Sequence, residues 1–168
     1  MRILGIDPGT LKMGYGVIDF QNNELSLVSC GIISASKNSP LPQRLSEIYT
    51  QLQKVIKRWK PSILAIENPF VSNNPKTALA IGQAQGTAFI AAAQNGLDIS
   101  SYAPRLVKQT ITNFGGASKE QVQEMVRMLL EMDFLPEPSD VADSLAVAIC
   151  HTRFLQEQDI ISKAQGVM

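Results

Sequence analysis

The feature of this sequence that most constrains its fold is a change of hydrophobic period near residue 40. Before that point, residues 2–7, 14–20 and 24–34 read as three apolar β-strands separated by short turns, such as "QNN" between the last two. After it, apolar residues between Leu41 and Trp59 recur every three or four positions, which predicts an amphipathic helix. The first part of the chain therefore predicts an antiparallel meander of three strands.

The remainder of the chain alternates between strand and helix patterns. Strands are predicted at 62–66 and 98–103, and helices at 75–95, 104–112, 118–132 and 140–156. Hairpin strands followed by this alternation indicate an α/β fold with a mixed sheet. Gly82 and Gly86 weaken the helix that contains them, which indicates close packing against another element. We expect one domain over residues 1–157 and a flexible C-terminal tail over 158–168.

Composition and charge exclude several classes of protein. Two cysteines do not make a disulfide framework. No apolar run reaches the roughly 18 residues of a membrane span, and the N-terminal strand pattern lacks the apolar core of a signal peptide. We therefore expect a cytoplasmic protein that does not enter membranes. A formal net charge of zero argues against a general nucleic-acid binder, unless bound metal ions change the charge balance.

Four acids occupy positions at which ligands gather in α/β proteins. Asp7 and Glu67 each follow a buried strand, and Asp140 and Asp143 lie three residues apart at the start of the last helix. Such a cluster would repel itself without cations, but it suits two Mg²⁺ ions, with Mn²⁺ able to substitute. Two such ions can drive phosphodiester hydrolysis.

The spacing of these acids in the sequence also allows ordinary structural explanations. Asp140 could be the N-cap of the last helix, and Asp143 could simply complement the positive end of that helix. Asp7 stands before Pro-Gly and could be a turn residue. Spacing alone therefore indicates a metal site without establishing one.

Four motifs in order resemble the RuvC family of Holliday-junction resolvases. They are "GIDPGT…GYGVI", "IENPF…N…ALAIGQAQG", "YAPRLVKQTITNFGGASKEQVQEMV" and "DVADSLAVAICH". The resemblance covers residues 2 to about 155. It implies a ribonuclease-H-like fold, with a mixed five-stranded sheet of three antiparallel N-terminal strands and then parallel strands, flanked by helices.

The resemblance also implies an activity and the residues that carry it. Asp7, Glu67, Asp140 and Asp143 would bind two Mg²⁺ ions per subunit, and Lys119 would assist catalysis. A homodimer would nick a four-way DNA junction symmetrically in recombination and repair, leaving 5′-phosphate and 3′-hydroxyl ends. Family membership further implies cooperation with the branch-migration proteins RuvA and RuvB.

Several other positions match residues that the family places on DNA. Phe70 resembles the aromatic that stacks at the junction centre, where each stacked base contributes roughly 1–3 kcal/mol. The other predicted DNA-contacting residues are polar or basic: Asn74, Lys76, Arg105, Lys108 and Lys119. Where the family has a lysine before Asn74, this chain has Asn73, and Lys76 is the candidate replacement. Phe70 could instead be an ordinary core aromatic, and the basic residues could be ordinary solvated side chains.

Three other functions remain as alternatives. An actin-like ATP-binding domain also opens with a strand, an Asp and a Gly-Thr turn, but it would give Asp140 and Asp143 no role. A nuclease of the same fold acting on RNA precursors would share the two strand acids. A non-catalytic DNA-binding relative would be expected to have lost at least one of the four acids, and all four are present here.

Overall fold

One mixed sheet organises the chain. The computed structural model describes residues 1–68 and 74–165, with side chains through residue 163. The elements in chain order are β1 (Arg2–Asp7), β2 (Lys12–Gln21), β3 (Glu24–Ser34), α1 (Leu41–Trp59), β4 (Ile63–Glu67), α2 (Pro75–Gln94), β5 (Asp98–Tyr102), α3 (Pro104–Thr112), α4 (Lys119–Leu129) and α5 (Ser139–Gln165). The sheet order is β3-β2-β1-β4-β5. The strands β1 to β3 are antiparallel, whereas β4 pairs in parallel with both β1 and β5. The predicted mixed five-stranded sheet is confirmed.

The hairpin between β2 and β3 turns on two asparagines. Asn22 and Asn23 both have positive φ, at 54° and 65°. Asparagine tolerates this left-handed region better than most residues, and two such residues make the tight turn that matches the twist of paired strands. The strand β2 begins at Lys12 rather than at residue 14, because pairing with Ser34 of β3 continues beyond the apolar run.

Helices cover both faces of the sheet, and consecutive residues of β1 point to opposite faces. Leu4 packs with Ile48 and Leu52 of α1 in one fully buried cluster. Ile3 packs with Leu145 of α5 in the other. The helices α1 and α2 therefore lie on one side of the sheet, and α3, α4 and α5 lie on the other. Every helix in the described residues is too short or too polar to cross a membrane.

The two glycines of α2 do not pack against another element of the chain. A Cβ added at Gly82 or Gly86 would meet no heavy atom within 4 Å. The prediction of close packing is therefore wrong within a single chain. Both residues lie on the outer face of α2, because the inner face is formed by residues such as Ala84 and Ala88.

The last helix is longer than predicted. The sequence pattern places its end near residue 156, but α5 continues to Gln165. Residues 157–165 contain no Gly or Pro, and the ammonium of Lys163 contacts the carboxylate of Asp159 at 2.5 Å, one turn away. The predicted helix end at residue 156 is therefore wrong, whereas the division into a domain over residues 1–157 and a flexible tail over 158–168 stays a prediction.

Candidate active site

The strands β1 and β4 bring two carboxylates to one edge of the sheet. In the parallel register, Ile6 of β1 lies opposite Ile66 of β4, so Asp7 and Glu67 end neighbouring strands side by side. Both side chains are partly buried. Glu67 also lies opposite Tyr102 at the end of β5. The predicted placement of these two acids at the carboxyl ends of adjacent strands is confirmed.

A glycine lets the first turn of α5 approach Asp7. Gly14 of β2 lies directly opposite Asp7 in the antiparallel register. A Cβ on Gly14 would lie 2.0 Å from the backbone oxygen of Asp140. The start of α5 therefore rests on the bare backbone of β2, and Asp140 and Asp143 both lie in its first two turns beside Asp7. The helix begins at Ser139, so Asp140 lies inside it and is not its N-cap.

Replacing Gly14 should displace the acids of α5. The alanine methyl in Gly14→Ala would collide with the backbone of Asp140, so we expect a stability loss of about 1–3 kcal/mol from overpacking. A shift of about 1 Å in a catalytic group can cost roughly 10²-fold in rate. Thermal unfolding and metal-dependent DNA cleavage would measure the two effects.

The matched control is Gly31→Ala in the neighbouring strand β3. There the atoms nearest to the added Cβ belong to the side chain of Tyr15, at 3.1 Å, and this side chain can shift slightly. This variant should keep most of its activity. Full activity in Gly14→Ala would contradict the view that β2 positions the acids of α5.

Burial and mutual repulsion raise the pKa values of three of these carboxyl groups, those of Asp7, Glu67 and Asp143. Burial raises the pKa of Asp7 to about 8, and the charges of Asp143, Glu67 and Asp140 add to that rise. Burial also raises the pKa of Glu67 to about 7, with a further contribution from Asp143. Burial raises the pKa of Asp143 as well, although Lys119 opposes part of the shift. These mutual effects show that the acids form one electrostatic cluster.

Lys119 brings a positive charge to this cluster. Its ammonium lies 3.3 Å from the carboxylate of Asp143 and 3.4 Å from the hydroxyl of Ser139. Partial burial lowers the pKa of Lys119, but Asp143 and the neighbouring acids more than reverse this and raise it above its usual value. Lys119 opens α4, where the Ser118–Gln121 capping box predicted from sequence is present. The capped helix end therefore fixes the backbone from which Lys119 reaches Asp143.

The chemistry of the acid cluster fits a hard divalent cation. Asp7, Glu67, Asp140 and Asp143 offer carboxylate oxygens, which are the ligands that Mg²⁺ and Mn²⁺ prefer. Within the described residues, no three His, Cys, Asp or Glu side chains are close enough to enclose a metal ion. Repulsion between like charges opposes such a closed arrangement, and a bound cation would offset it. The raised pKa values of Asp7 and Glu67 show that their ionised forms are unfavourable without a cation. A bound cation would therefore stabilise these two carboxylates most.

The predicted DNA-contacting residues other than Lys108 and Lys119 divide into three groups. Phe70 lies outside the described residues. Asn74 caps α2, because its side-chain oxygen accepts hydrogen bonds from the backbone N–H groups of Lys76 and Thr77. Arg105 is exposed in the first turn of α3, and Lys76 is exposed in the first turn of α2. Their exposure is compatible with DNA contact.

Lys108 has a structural contact that the sequence did not predict. Its ammonium donates a hydrogen bond to the carbonyl oxygen of Ala117 at 2.8 Å, just before α4. Its charge also lowers the pKa of Glu67. Lys108 therefore holds the backbone two residues before Lys119. Its charge also acts on the acid cluster through Glu67.

Sequence reasoning missed two residues that build the site. The sequence pattern places Gly14 in a predicted strand, and the available signal is that a glycine inside a strand often marks a close backbone approach. Ser139 was not considered, although it directly precedes Asp140 and now shares the ammonium of Lys119 with Asp143.

Comparison with known proteins identifies close relatives over almost the whole chain. The family model described as "Crossover junction endodeoxyribonuclease RuvC" matches residues 3–151. A relative of that name from Dehalococcoides mccartyi is 49% identical over 163 residues, covering 97% of this chain and 98% of the relative. Another, from Pelotomaculum thermopropionicum, is 46% identical over 151 residues, covering 90% of this chain and 92% of the relative.

Solved structures show the same fold. Thermus thermophilus RuvC superposes with a TM-score of 0.85 at 31% identity, covering 94% of this chain and 97% of that one. The same protein in complex with a Holliday junction substrate gives a TM-score of 0.87, covering 94% of this chain and 96% of that one. Together with these matches, the sheet and its flanking helices define an endonuclease of the ribonuclease-H-like class. The chain belongs to the RuvC family of crossover junction endodeoxyribonucleases. This membership confirms the family resemblance and removes the actin-like alternative.

Proposed function

We propose that this protein resolves four-way DNA junctions by paired, symmetric nicks during recombination and repair. The observation that carries the proposal is the pair of acids at the sheet edge, Asp7 and Glu67, whose pKa values are raised to about 8 and about 7. Buried acids of this kind beside the first turn of α5 suit metal-assisted phosphodiester hydrolysis. The Thermus thermophilus relative has been captured with a Holliday junction substrate, which supports the choice of substrate.

The four acids would hold two Mg²⁺ ions per subunit, with Mn²⁺ able to substitute. When bound, such ions would assist hydrolysis of the phosphodiester, and the products we propose carry 5′-phosphate and 3′-hydroxyl ends. Asp7 interacts electrostatically with all three other acids, because each of them raises its pKa. The side chain of Lys119 would turn from Asp143 towards the scissile phosphate if a bound cation neutralised that carboxylate.

A second copy of the chain would complete the enzyme. The outer face of α2 is unusually apolar for a helix surface: Leu79 is 65% exposed and Ile90 is 56% exposed, with Gly82 and Gly86 between them at helical spacing. A helix that is apolar all round is normally buried. The approximate two-fold symmetry of a four-way junction matches an isologous dimer with two equal sites. We propose that this face of α2 packs against its counterpart in a homodimer.

A large charged side chain on this face should break the dimer. In Gly82→Arg, the new side chain enters open space in the single chain and should not disturb its fold. It would place an unpaired charge in the apolar interface, a change that costs several kcal/mol when the charge is buried. Analytical ultracentrifugation should therefore show a dimer for the wild type and a monomer for Gly82→Arg.

The control is Thr50→Arg on the exposed side of α1, which should remain dimeric. Monomeric Gly82→Arg should nick one strand at a time and lose paired cleavage. An unchanged dimer in Gly82→Arg would contradict the assignment of this surface.

Membership of the family suggests a cellular setting for this enzyme. We propose that the enzyme works in the cytoplasm, on junctions moved by RuvA and RuvB. A pull-down of purified RuvB with the full chain, in the presence and absence of a junction, would test that contact.

Cleavage of defined substrates tests the proposed function. Synthetic mobile four-way junctions, linear duplex and an RNA hairpin would be incubated with Mg²⁺ or with EDTA. We expect paired nicks on the junction alone, abolished by EDTA and sealed by DNA ligase.

Each other outcome overturns a defined part of the proposal. Preference for the RNA hairpin would indicate the related nuclease of RNA precursors. Tight junction binding without cleavage would indicate a non-catalytic DNA-binding relative. Nicks that ligase cannot seal would exclude 5′-phosphate and 3′-hydroxyl ends.

A further inference from the structure

The loop between α3 and α4 is ordered by its own hydrogen bonds. This α3–α4 loop comprises residues 113–118. The side chain of Gln109 donates to the carbonyl of Asn113 at 2.8 Å and accepts from the N–H of Gly115 at 2.9 Å. The hydroxyl of Thr112 donates to the carbonyl of Phe114 at 2.9 Å and accepts from its N–H at 3.2 Å. Lys108 holds the far end of the loop through Ala117.

This ordered loop holds an aromatic ring in solvent. Phe114 is 63% exposed, which is more than Phe134 at 56% and Phe154 at 45%. The ring lies against Gly116, where an added Cβ would be 2.8 Å from its Cζ. A side chain at residue 116 would therefore push the ring away. Exposure of a large apolar ring is unfavourable by itself, and several hydrogen bonds here maintain that exposure.

The side chain of Arg105 lies beside the glycine that follows Phe114. A Cβ added at Gly115 would be 2.9 Å from Cγ and 3.2 Å from Nε of Arg105, so this side chain runs along the glycine next to Phe114. Arg105 is exposed and forms no ion pair with any residue in the described ranges. An aromatic face and a guanidinium at adjacent positions match the two parts of a nucleotide, the base and its phosphate.

A cavity adjoins the ring on its α4 side. It measures about 290 Å³, and its surface is mostly apolar, with Thr112, Phe114, Ala117 and Met125 in its lining. Its acid, Glu124, is paired with Arg127 at 2.6 Å, so it presents little net negative charge to DNA. A flat apolar ring could therefore rest on Phe114 without meeting an unpaired carboxylate.

The loop also leads directly to the catalytic cluster. Lys119 follows the loop immediately and contacts Asp143. We propose that Phe114 stacks on an unpaired or partly opened base of the junction while Arg105 binds an adjacent phosphate, so that this loop forms a base-stacking subsite beside the cleavage site. This proposal rests on the proposed junction-resolving function and adds a contact that is independent of Phe70.

Fluorescence of 2-aminopurine can detect this stacking. Junctions carrying 2-aminopurine at successive positions around the mapped cleavage site would be bound with Ca²⁺ in place of Mg²⁺, so that affinity is measured without cutting. The variants are Phe114→Leu, which keeps an apolar side chain without a π-face, and Phe114→Trp, which keeps the π-face. Phe154→Leu, at another partly exposed phenylalanine on α5, is the matched control.

We expect one or two positions at which wild type and Phe114→Trp quench the fluorescence and Phe114→Leu does not. Junction affinity should fall about five-fold or more in Phe114→Leu, as expected for loss of one stacked base. Phe154→Leu should behave like the wild type. If Phe114→Leu keeps both the quenching and the affinity, the subsite does not exist. A loss of affinity in Phe114→Leu without any position-specific quenching would also overturn the proposal, because it would indicate a contact other than stacking.

The wild type separates this result from the proposed function. If wild-type protein cuts the junction and only the Phe114 results are negative, the base-stacking proposal alone fails. If wild-type protein neither binds nor cuts the junction, the proposed function itself fails.

Discussion

Asp7→Asn is expected to abolish junction cleavage and, at the same time, to stabilise the metal-free protein at pH 8. In our proposal Asp7 is a shared metal ligand, so its loss should remove metal assistance worth several kcal/mol, which corresponds to a rate loss on the order of 10³-fold or more. The stability gain has a separate cause, because burial makes the ionised form of Asp7 unfavourable.

The sign of the pH effect follows from proton binding. The pKa of Asp7 rises from 3.8 to about 8 on folding, so the folded chain holds more protons than the unfolded chain between these values. Stability of the metal-free wild type therefore falls as pH rises from about 4 to about 8. The amide introduced by Asp7→Asn does not titrate, so the variant should lack this part of the fall, with a gain of roughly a few kcal/mol at pH 8.

Denaturant unfolding in EDTA at pH 5 and pH 8 would measure this effect, beside a cleavage assay in Mg²⁺. The control is Asp98→Asn at the start of β5, an exposed acid at the other end of the sheet. It should leave both activity and pH dependence unchanged. A destabilised Asp7→Asn at pH 8 would mean that Asp7 stabilises the fold without metal, contrary to our account.

Lys119→Met is expected to reduce cleavage by about 10²-fold or more while changing stability little. Removal of one positioned electrostatic group commonly costs 10²–10³-fold in rate. Lys119 is 59% exposed, and exposed ion pairs contribute only about 0–1 kcal/mol to stability. Single-turnover cleavage and denaturant unfolding would separate the two effects.

Two further variants define the role of Lys119. Lys119→Arg keeps the charge and should recover part of the rate. Lys163→Met removes an exposed lysine that is also ion-paired, on the last turns of α5, and should match the wild type. If Lys119→Met cleaves normally, the ion pair with Asp143 has no catalytic importance.

Much of the fold could be predicted because local patterns and tertiary structure agree. The three N-terminal strands, their Asn22–Asn23 turn and the helix from Leu41 to Trp59 carry clear periodicity and turn chemistry. The end of α5 was misplaced because an exposed helix lacks the apolar period that marks a buried one. The prediction for Gly82 fails because sequence shows that a helix surface is small and apolar, but not whether the same chain covers it.

The acids of the site could be predicted, but their support could not. Asp7 and Glu67 are recognisable because an acid at the end of a buried strand is unusual. The contact of Gly14 with Asp140 and the exposed ring of Phe114 depend on how distant segments pack. No single-sequence pattern specifies distances of that kind.

The central claim is that Asp7 and Glu67 are buried together because they hold metal ions. Anomalous diffraction from crystals soaked in millimolar MnCl₂ at pH 8 tests it most directly. Carboxyl groups must lose their protons to bind a metal ion, and pH 8 favours that loss. Our account predicts Mn²⁺ peaks that contact Asp7 together with Glu67 and Asp143, and an ammonium of Lys119 displaced from Asp143. Mn²⁺ bound only elsewhere, with Lys119 still on Asp143, would contradict the account.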